Sequence, residues 1–413
     1  MKKLAIGSIH QQLLCLTCAA LASACTTDAP SHDPPPVDEA NGTPELEDAT
    51  ATIRVVYASQ AITAGDVAIT LRGEGSLVTE TPCAPVDATT CEATVTQFPA
   101  GERELAFRPY RGGVPARGAR YLVARDEKVE IAPHFTQTKG TLRELIPAFH
   151  STVLNEVEPG NTRRIWAYLP ASYSENAAKR YPVVYMHDGR NLFDPTLSIT
   201  GIEWQVDESA ERAWEETGEF AEVIVIGIDQ FVTVNGTLGN YRQGDYNPTP
   251  DQGILNRPPT GTLYAQAIAT ELKPTIDGML RTLPGASTTA TLGSSLGATI
   301  SVWLTHAHPS VFGRAAIMSP ASGIGNDWII DQLLTAPVLT LVAQRLAALY
   351  IDAGTSEPML VATQYIDAYH TLGYVDGDTM SSLFELNGYH DENAWARRLP
   401  IALAALFPGR RIP

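Results

Sequence analysis

A serine flanked by glycines is the residue in this chain best suited to nucleophilic chemistry. The segment Gly293–Gly297 has the G-x-S-x-G pattern with Ser295 at its centre. It follows a strand-like run at 288–292 and precedes a helix-like run at 298–306. At such a strand-to-helix turn the serine backbone is strained and its hydroxyl projects from the sheet edge. We therefore predict that Ser295 is a nucleophile; a glycine-rich turn without chemical function is the alternative.

A serine hydroxyl needs a base within hydrogen-bond reach and a carboxylate that orients the base. His390 lies between a strand-like run at 382–386 and a helix-like run at 392–398, so we predict that it is the base. The acid is expected after the strand-like run 348–351, where Glu357 and Asp352 are the candidates. We favour Glu357 because its loop reaches farther toward the histidine, whereas Asp352 is suited to capping the following turn. The order Ser, Glu, His is that of α/β-hydrolases.

Two backbone N–H groups are needed to stabilise the oxyanion that forms when a serine attacks an ester. Leu296 directly follows the nucleophile at the start of a helix, and we predict that it supplies one of them. The other is predicted in the loop after the strand-like run 181–186, from Gly189 or Arg190. An ordinary tight turn is the alternative for this loop.

The elements that must position these residues alternate between strand and helix from about residue 145 onward. Helix-like segments, such as 206–216 and 264–280, separate several apolar strand-like runs, which lie at 164–169, 181–186, 223–228, 288–292, 315–318 and 348–351. Apolar strands separated by helices predict a mostly parallel sheet that is covered on both faces. Together with the order Ser, Glu, His, this pattern leads us to expect an α/β-hydrolase fold over residues 145–413.

Further segments of this region occur in an order typical of one enzyme family. They are Tyr181–Gly189, Asn191–Asp194, Trp204–Glu208, Arg242 with Asp245–Pro248, and Glu271–Asp277. With the serine, acid and histidine loops, they make residues 145–410 resemble the Putative esterase family of α/β-hydrolases. That family includes enterochelin, feruloyl and acetyl-xylan esterases, S-formylglutathione hydrolases and mycolyltransferases. The resemblance implies that Ser295, Glu357 and His390 form a catalytic triad.

The chain departs from the family pattern at two positions. Asp188 stands where many relatives carry glycine, which leaves the second oxyanion donor open between Gly189 and Arg190. Glu357 stands where aspartate is common in several branches, so Asp352 remains an alternative acid.

The first 24 residues have the features of an export signal. Lys2 and Lys3 precede an apolar run at 13–22, which is too short to span a bilayer, and small residues at 22–24 offer a cleavage site. Cys25 follows directly, as in bacterial lipoprotein signals. We therefore expect lipidation of Cys25 and a location in the cell envelope, with the lipid as the only membrane contact. Secretion after cleavage at Ala24 is the alternative.

Two regions separate this signal from the α/β part of the chain. Residues 25–50 predict an acidic, proline-rich linker, since residues 26–50 contain seven carboxylates and no Lys or Arg. Residues 51–133 predict a small all-β, sandwich-like domain, because short runs such as 102–108 and 128–131 alternate polar and apolar residues. A spacer role is favoured for this domain, and glycan binding is the alternative.

The five cysteines fit an exported protein. Cys15 and Cys18 fall within the predicted signal, and Cys25 is the lipidation site. Cys83 and Cys91 are then expected to form a disulfide in an oxidising compartment. Two buried free thiols are the alternative.

The formal net charge of −17 argues against binding to nucleic acids or anionic lipids. No residue spacing indicates a metal or an organic cofactor, and none indicates an oligomeric state.

We expect a serine esterase for an acylated carbohydrate, an aromatic-acid ester or a siderophore-type ester. Arg190 and Arg242 are the basic residues that a siderophore-type ester would use. An acyltransferase of the mycolyltransferase type and a non-catalytic binding protein are the alternatives. Four aromatic residues are candidates either for the substrate cleft or for the core: Trp204, Tyr241, Tyr246 and Trp328.

Overall fold

The computed structural model describes residues 46–58, 69–73, 80–118, 120–136, 139–212, 221–250, 257–322, 325–335 and 345–409. The predicted signal at 1–24, the lipidation site Cys25 and the linker up to residue 45 lie outside these ranges. The first strand begins at Leu46, within the last residues of the predicted linker. In the described ranges, no helix combines the length and the apolar character needed to cross a membrane.

The N-terminal region is built from two small antiparallel-rich sheets, as predicted. Its strands are β1 Leu46–Val56, β2 Ile69–Gly73, β3 Glu80–Pro82, β4 Ala84–Pro85, β5 Thr90–Pro99, β6 Glu104–Arg111, β7 Val114–Pro115, β8 Tyr121–Ala124 and β9 Lys128–Ile131. One sheet has the order β4-β5-β1-β9; the other has the order β3-β2-β6-β7, with β8 beside β6. Alternate residues such as Ile53, Val55 and Phe107 are buried between them. A disulfide joins Cys83 to Cys91.

The second sheet system is the large sheet that carries the predicted site. Its strands are β10 Thr141–Phe149, β11 Thr162–Leu169, β12 Val183–Met186, β13 Ile224–Val234, β14 Thr237–Asn240, β15 Thr289–Ser295, β16 Arg314–Pro320, β17 Ala348–Gly354 and β18 Met380–Glu385. Their order is β10-β11-β13-β12-β15-β16-β17-β18, with β14 beside β13. All strands from β13 to β18 along this order run parallel, whereas β10, β11 and β14 pair antiparallel. The predicted mostly parallel sheet is confirmed.

Helices cover both faces of this sheet. They are α1 Val206–Arg212, α2 Arg242–Asp245, α3 Gly261–Ala267, α4 Lys273–Met279, α5 Leu296–Ala307, α6 Asn326–Thr335, α7 Leu360–Thr371 and α8 Glu392–Leu406. In β12, Val183 and Tyr185 enter one apolar cluster, and Val184 and Met186 enter another. Because successive strand side chains point to opposite faces, this division shows that the sheet is buried on both sides.

Two helices differ in extent from the sequence-based expectation. The helix predicted at 264–280 begins at Gly261, and a π-turn over Ile268–Leu272 joins α3 to α4. Pro274 lacks the N–H that would continue the regular ladder, which accounts for the wider turn. The helix predicted to end at residue 398 continues to Leu406, because its later leucines, including Leu403, pack against the sheet.

Candidate active site

Ser295 occupies the turn between β15 and α5. Its φ of 56° and ψ of −123° are strained for a residue with a side chain. A Cβ at Gly293 would lie 2.6 Å from the backbone of Gly297, so glycine is required where the strand and helix cross. Leu296 is the first residue of α5, where backbone N–H groups lack partners within the helix. The local geometry is therefore that of a nucleophile elbow with a donor beside it.

The parallel strands bring the other predicted residues to the same edge of the sheet. β15 ends at Ser295, β17 ends three residues before Glu357, and β18 ends five residues before His390. The carboxyl ends of parallel strands meet at one edge, where α/β proteins place their ligands. The loop 187–191 follows β12, so the predicted oxyanion loop lies at this edge as well.

Glu357 and His390 are in direct contact. The carboxylate Oε2 of Glu357 accepts a hydrogen bond from Nδ1 of His390, whose side chain is 38% exposed. The Glu357 Oε1 accepts hydrogen bonds from the Ser319 hydroxyl, at 2.6 Å, and from the Gly354 N–H. Burial acts to raise the pKa of Glu357, but these hydrogen bonds outweigh burial and hold the pKa below its ordinary value. Glu357 is therefore an ionised partner for the imidazole.

Asp352, the alternative acid, is engaged elsewhere. Its Oδ1 accepts the Ser319 N–H at 3.1 Å, and its Oδ2 lies 3.2 Å from Nε of Arg398. The carboxylate is fully buried, and burial raises its pKa despite the neighbouring arginine. Of the two acids that the sequence proposed, Glu357 is thus the one that contacts His390.

Backbone hydrogen bonds tie the acid loop to the histidine loop. The Ser356 N–H donates to the carbonyl of Gly388 at 2.9 Å, and the Asn387 N–H donates to the Thr355 hydroxyl at 2.8 Å. A Cβ on Gly388 would lie 3.0 Å from the Cα of Gly354, so the two loops touch through their backbones. This packing fixes the relative position of Glu357 and His390.

The predicted oxyanion loop, residues 187–191, is hydrogen-bonded to a tyrosine and an arginine. Asp188 has a φ of 59°, and its N–H donates to the hydroxyl of Tyr246 at 2.9 Å. Its carboxylate receives two hydrogen bonds from Arg242, at 2.7 and 2.9 Å. Arg242 also donates to the carbonyl oxygen of Ser294 at 3.2 Å. One guanidinium therefore links the loop before Gly189 to the residue before Ser295.

The two predicted donors of the second N–H, Gly189 and Arg190, begin a 3-10 turn in this loop. A Cβ on Gly189 would lie 2.8 Å from the backbone of Gly227 and Ile228, so the glycine permits close packing on β13. The Arg190 side chain pairs with Asp229 at 3.0 Å and lies over the ring of Phe231. The Arg190 guanidinium is therefore already paired with a carboxylate and does not serve substrate binding alone.

Two of the four aromatic residues proposed for the cleft or the core are buried. Trp204 and Tyr246 are within the apolar interior, which favours the core interpretation for both. His187, in the predicted oxyanion loop, is buried between Tyr264 and Thr291, and burial, aided by Arg242, lowers its pKa to about 3. The His187 imidazole is therefore neutral and packs beneath the rest of this loop.

Ser319 and Arg398 are the site residues that sequence reasoning missed. Arg398 had a detectable signal, because it lies four residues from Ala394 and from Ala402 on the buried face of α8. An arginine at a core-facing position implies a buried ion pair. Ser319, at the end of β16, has no such local signal.

The fold and the site geometry together define an α/β-hydrolase. The chain matches the family model described as Putative esterase over residues 157–406, and it belongs to this family. This assignment makes it a carboxylic ester hydrolase and confirms the predicted resemblance.

Individual relatives are distant. The chain is 26% identical over 208 residues to the uncharacterized protein YbbA of Bacillus subtilis (strain 168), covering 49% of this chain and 72% of that protein. A ferulic acid esterase structure has a TM-score of 0.50 at 18% identity, covering 66% of this chain and 99% of that one. The BES protein from Bacillus cereus has a TM-score of 0.50 at 17% identity, with 69% and 99% covered. These structural likenesses support the fold.

Proposed function

We propose that this protein is a serine esterase that cleaves uncharged carboxylic esters through an acyl-enzyme. Ser295 is the nucleophile, His390 the general base and acid, and Glu357 the group that orients the imidazole. Leu296 and either Gly189 or Arg190 donate backbone N–H groups to the oxyanion. The observation that carries this proposal is the hydrogen bond between Glu357 and Nδ1 of His390, at the same sheet edge as the strained Ser295.

The bond to Glu357 leaves Nε2 of His390 to serve the nucleophile. The Ser295 Oγ bonds to the ester carbonyl carbon while its proton passes to Nε2. The bond between that carbon and the alcohol oxygen then breaks, and the leaving alcohol takes the proton. Water attacks the acyl-enzyme in the same way, which releases the carboxylic acid and restores the serine hydroxyl.

The charge balance near the site favours an uncharged substrate. Arg190 and Arg242 were the candidates for binding an anionic siderophore-type ester. Each is paired with a carboxylate, Asp229 and Asp188 respectively. A cation neutralised by a bidentate partner attracts a second anion only weakly. We therefore favour the acylated-carbohydrate and aromatic-acid ester classes over the siderophore class.

The test is initial-rate hydrolysis of p-nitrophenyl acetate, p-nitrophenyl butyrate, methyl ferulate and acetylated xylan, with p-nitrophenyl hemisuccinate as the anionic ester. Ser295→Ala should abolish hydrolysis, because the nucleophile is removed. Ser294→Ala is the matched control. Its hydroxyl is buried and makes no hydrogen bond to other described residues, so activity should persist. Full hydrolysis by Ser295→Ala would contradict the proposal, and a preference for the hemisuccinate would contradict the substrate class.

Acyl transfer is separated from hydrolysis by the products. The same esters are incubated with trehalose or xylose, and the free acid and acylated sugar are quantified by mass spectrometry. Free acid as the main product supports the hydrolase. Acylated sugar as the main product would reassign the protein as an acyltransferase that uses the same serine.

We also propose that the protein is exported. The disulfide between Cys83 and Cys91 supports this proposal, because disulfides persist in oxidising compartments. Cys25 remains the predicted lipidation site.

A further inference from the structure

Ser319 is a bulged residue on the strand between the nucleophile and the acid. The register of β15 with β16 runs from Ser294 opposite Met318 to Ser295 opposite Pro320, so Ser319 is the extra residue. Its φ is 42°, in the left-handed region. A bulge turns a residue away from the regular alternation, and bulges often re-aim side chains next to active sites. Here it directs the Ser319 N–H to Asp352 and the hydroxyl to Glu357.

Arg398 lies beneath this bulge and is 1% exposed. Its Nη2 donates to the Ser319 hydroxyl at 2.6 Å and lies 3.7 Å from Oε1 of Glu357. Its Nε and Nη1 lie 3.2 and 3.4 Å from the carboxylates of Asp352 and Glu385. One guanidinium therefore contacts residues near the ends of β16, β17 and β18. A buried charge persists only where such partners compensate it.

The direction of the hydrogen bonds follows from the donors available. Arg398 can only donate, so the Ser319 oxygen accepts from it and the Ser319 hydroxyl hydrogen points to Oε1 of Glu357. Oε1 is then occupied by Ser319 and the Gly354 N–H, which leaves Oε2 for His390. Chains of hydrogen bonds with one direction polarise and strengthen each other.

We propose that Ser319 and Arg398 are positioning residues that hold the Glu357 carboxylate in the orientation required by His390. This inference rests on the proposed serine-esterase function of the same site. Neither residue contacts the reacting atoms. They act through Glu357, by occupying the oxygen that faces away from the imidazole.

Three variants test the proposal. Ser319→Gly removes the hydroxyl and suits the left-handed backbone, so it preserves the fold. Arg398→Lys keeps the charge but loses the planar fork that reaches several partners. Arg398→Met removes the charge and leaves buried carboxylates uncompensated, so its kcat should fall at least as far as that of Arg398→Lys. Arg397→Met is the matched control. Arg397 is next to Arg398 in the sequence, its side chain is 55% exposed, and of the carboxylates named above it contacts only Glu385.

Rates, a pH profile and a spectroscopic signature are measured for each variant. We expect kcat on p-nitrophenyl butyrate to fall between about tenfold and a hundredfold in Ser319→Gly and Arg398→Lys, with KM unchanged, because a misplaced group impairs the chemical step. The acid limb of the kcat profile should move to higher pH. Loss of a hydrogen-bond donor raises the pKa of Glu357, and the proposed mechanism requires its ionised form. The far-downfield proton resonance of the His390 Nδ1–H, in the NMR spectrum, should shift or broaden. Arg397→Met should match the unmodified protein in all three.

The results distinguish a positioning role of Ser319 and Arg398 from a general structural role. Unchanged kcat, acid limb and His390 resonance in Ser319→Gly and Arg398→Lys would overturn the proposal. A change in Ser319→Gly alone would overturn the part assigned to Arg398. The His390 resonance is observed without any substrate, so the positioning role is tested even where Ser295 proves not to be a nucleophile. Loss of activity with an unchanged resonance would reject positioning in favour of a general structural effect.

Discussion

In the proposed site, the acid–base side and the oxyanion side each contain a buried or partly buried arginine, but the two arginines have different partners. Arg398 contacts side chains: the Ser319 hydroxyl and the carboxylates of Asp352, Glu357 and Glu385. Arg242 fixes the backbone, through the Asp188 carboxylate and the Ser294 carbonyl oxygen. The first arrangement controls the orientation of one carboxylate, and the second controls the spacing between two loops.

This difference follows from what each side must do. In the proposed mechanism Glu357 must keep its charge and point one oxygen at His390, and its carboxylate is surrounded by donors. The proposed oxyanion donors are peptide N–H groups, whose positions depend on the loops that carry them. Accordingly, that side is packed with aromatic rings, and His187 lies 5.1 Å from Tyr246 between ring centroids. Electrostatic changes should dominate on the acid side, and packing or backbone changes on the oxyanion side.

The largest effect is expected for Glu357→Gln. Glutamine keeps the shape but removes the negative charge that stabilises the protonated imidazole, so kcat should fall by about 10⁴-fold. Asp352→Asn changes the other carboxylate, which does not contact His390 in the described structure, and its loss should be far smaller. Initial rates on p-nitrophenyl butyrate measure both. An equal loss in the two variants would erase the distinction between the two acids.

A smaller effect is expected for Tyr246→Phe on the oxyanion side. The change leaves the buried Asp188 N–H without its acceptor, which costs about 1–3 kcal/mol and loosens the loop before Gly189. We expect kcat to fall about tenfold, equivalent to about 1.4 kcal/mol of transition-state stabilisation. Tyr185→Phe is the control, because the buried Tyr185 hydroxyl makes no hydrogen bond to other described residues. Kinetics and urea unfolding of both variants check the prediction; equal kcat values would show that the Asp188 N–H is unimportant.

The smallest effect on activity is expected for the Cys83→Ala and Cys91→Ala pair, in the N-terminal β region. Opening the short disulfide loop should lower the free energy of unfolding by about 2–3 kcal/mol. The kcat should be unchanged, since this pair belongs to the core of the β region and not to the large sheet. Thermal unfolding and initial rates test this, and thiol titration of protein isolated from the cell envelope tests the proposed export. A large loss of kcat in a folded variant would indicate that the β region takes part in the site.

Much of the fold was predictable from local patterns. The strands at the site were located to within a few residues, because fully apolar runs between helices mark buried parallel strands. The extent of α8 was underestimated, because its last turns are stabilised by leucines that pack on the sheet rather than by a strong local signal. The proposed roles of Ser295, Glu357 and His390 stay predictions until the variants are measured.

The sequence by itself determined the fold class, the family and the loops on which the candidate residues lie, because motif order and hydrophobic periodicity are local properties of the chain. The tertiary structure alone decided which acid meets the histidine and which arginine supports each side. Arg398 and Ser319 are 79 residues apart, and Arg242 and Asp188 are 54 apart. No local pattern encodes such pairs, since they form only when parallel strands bring distant loops to one edge of the sheet.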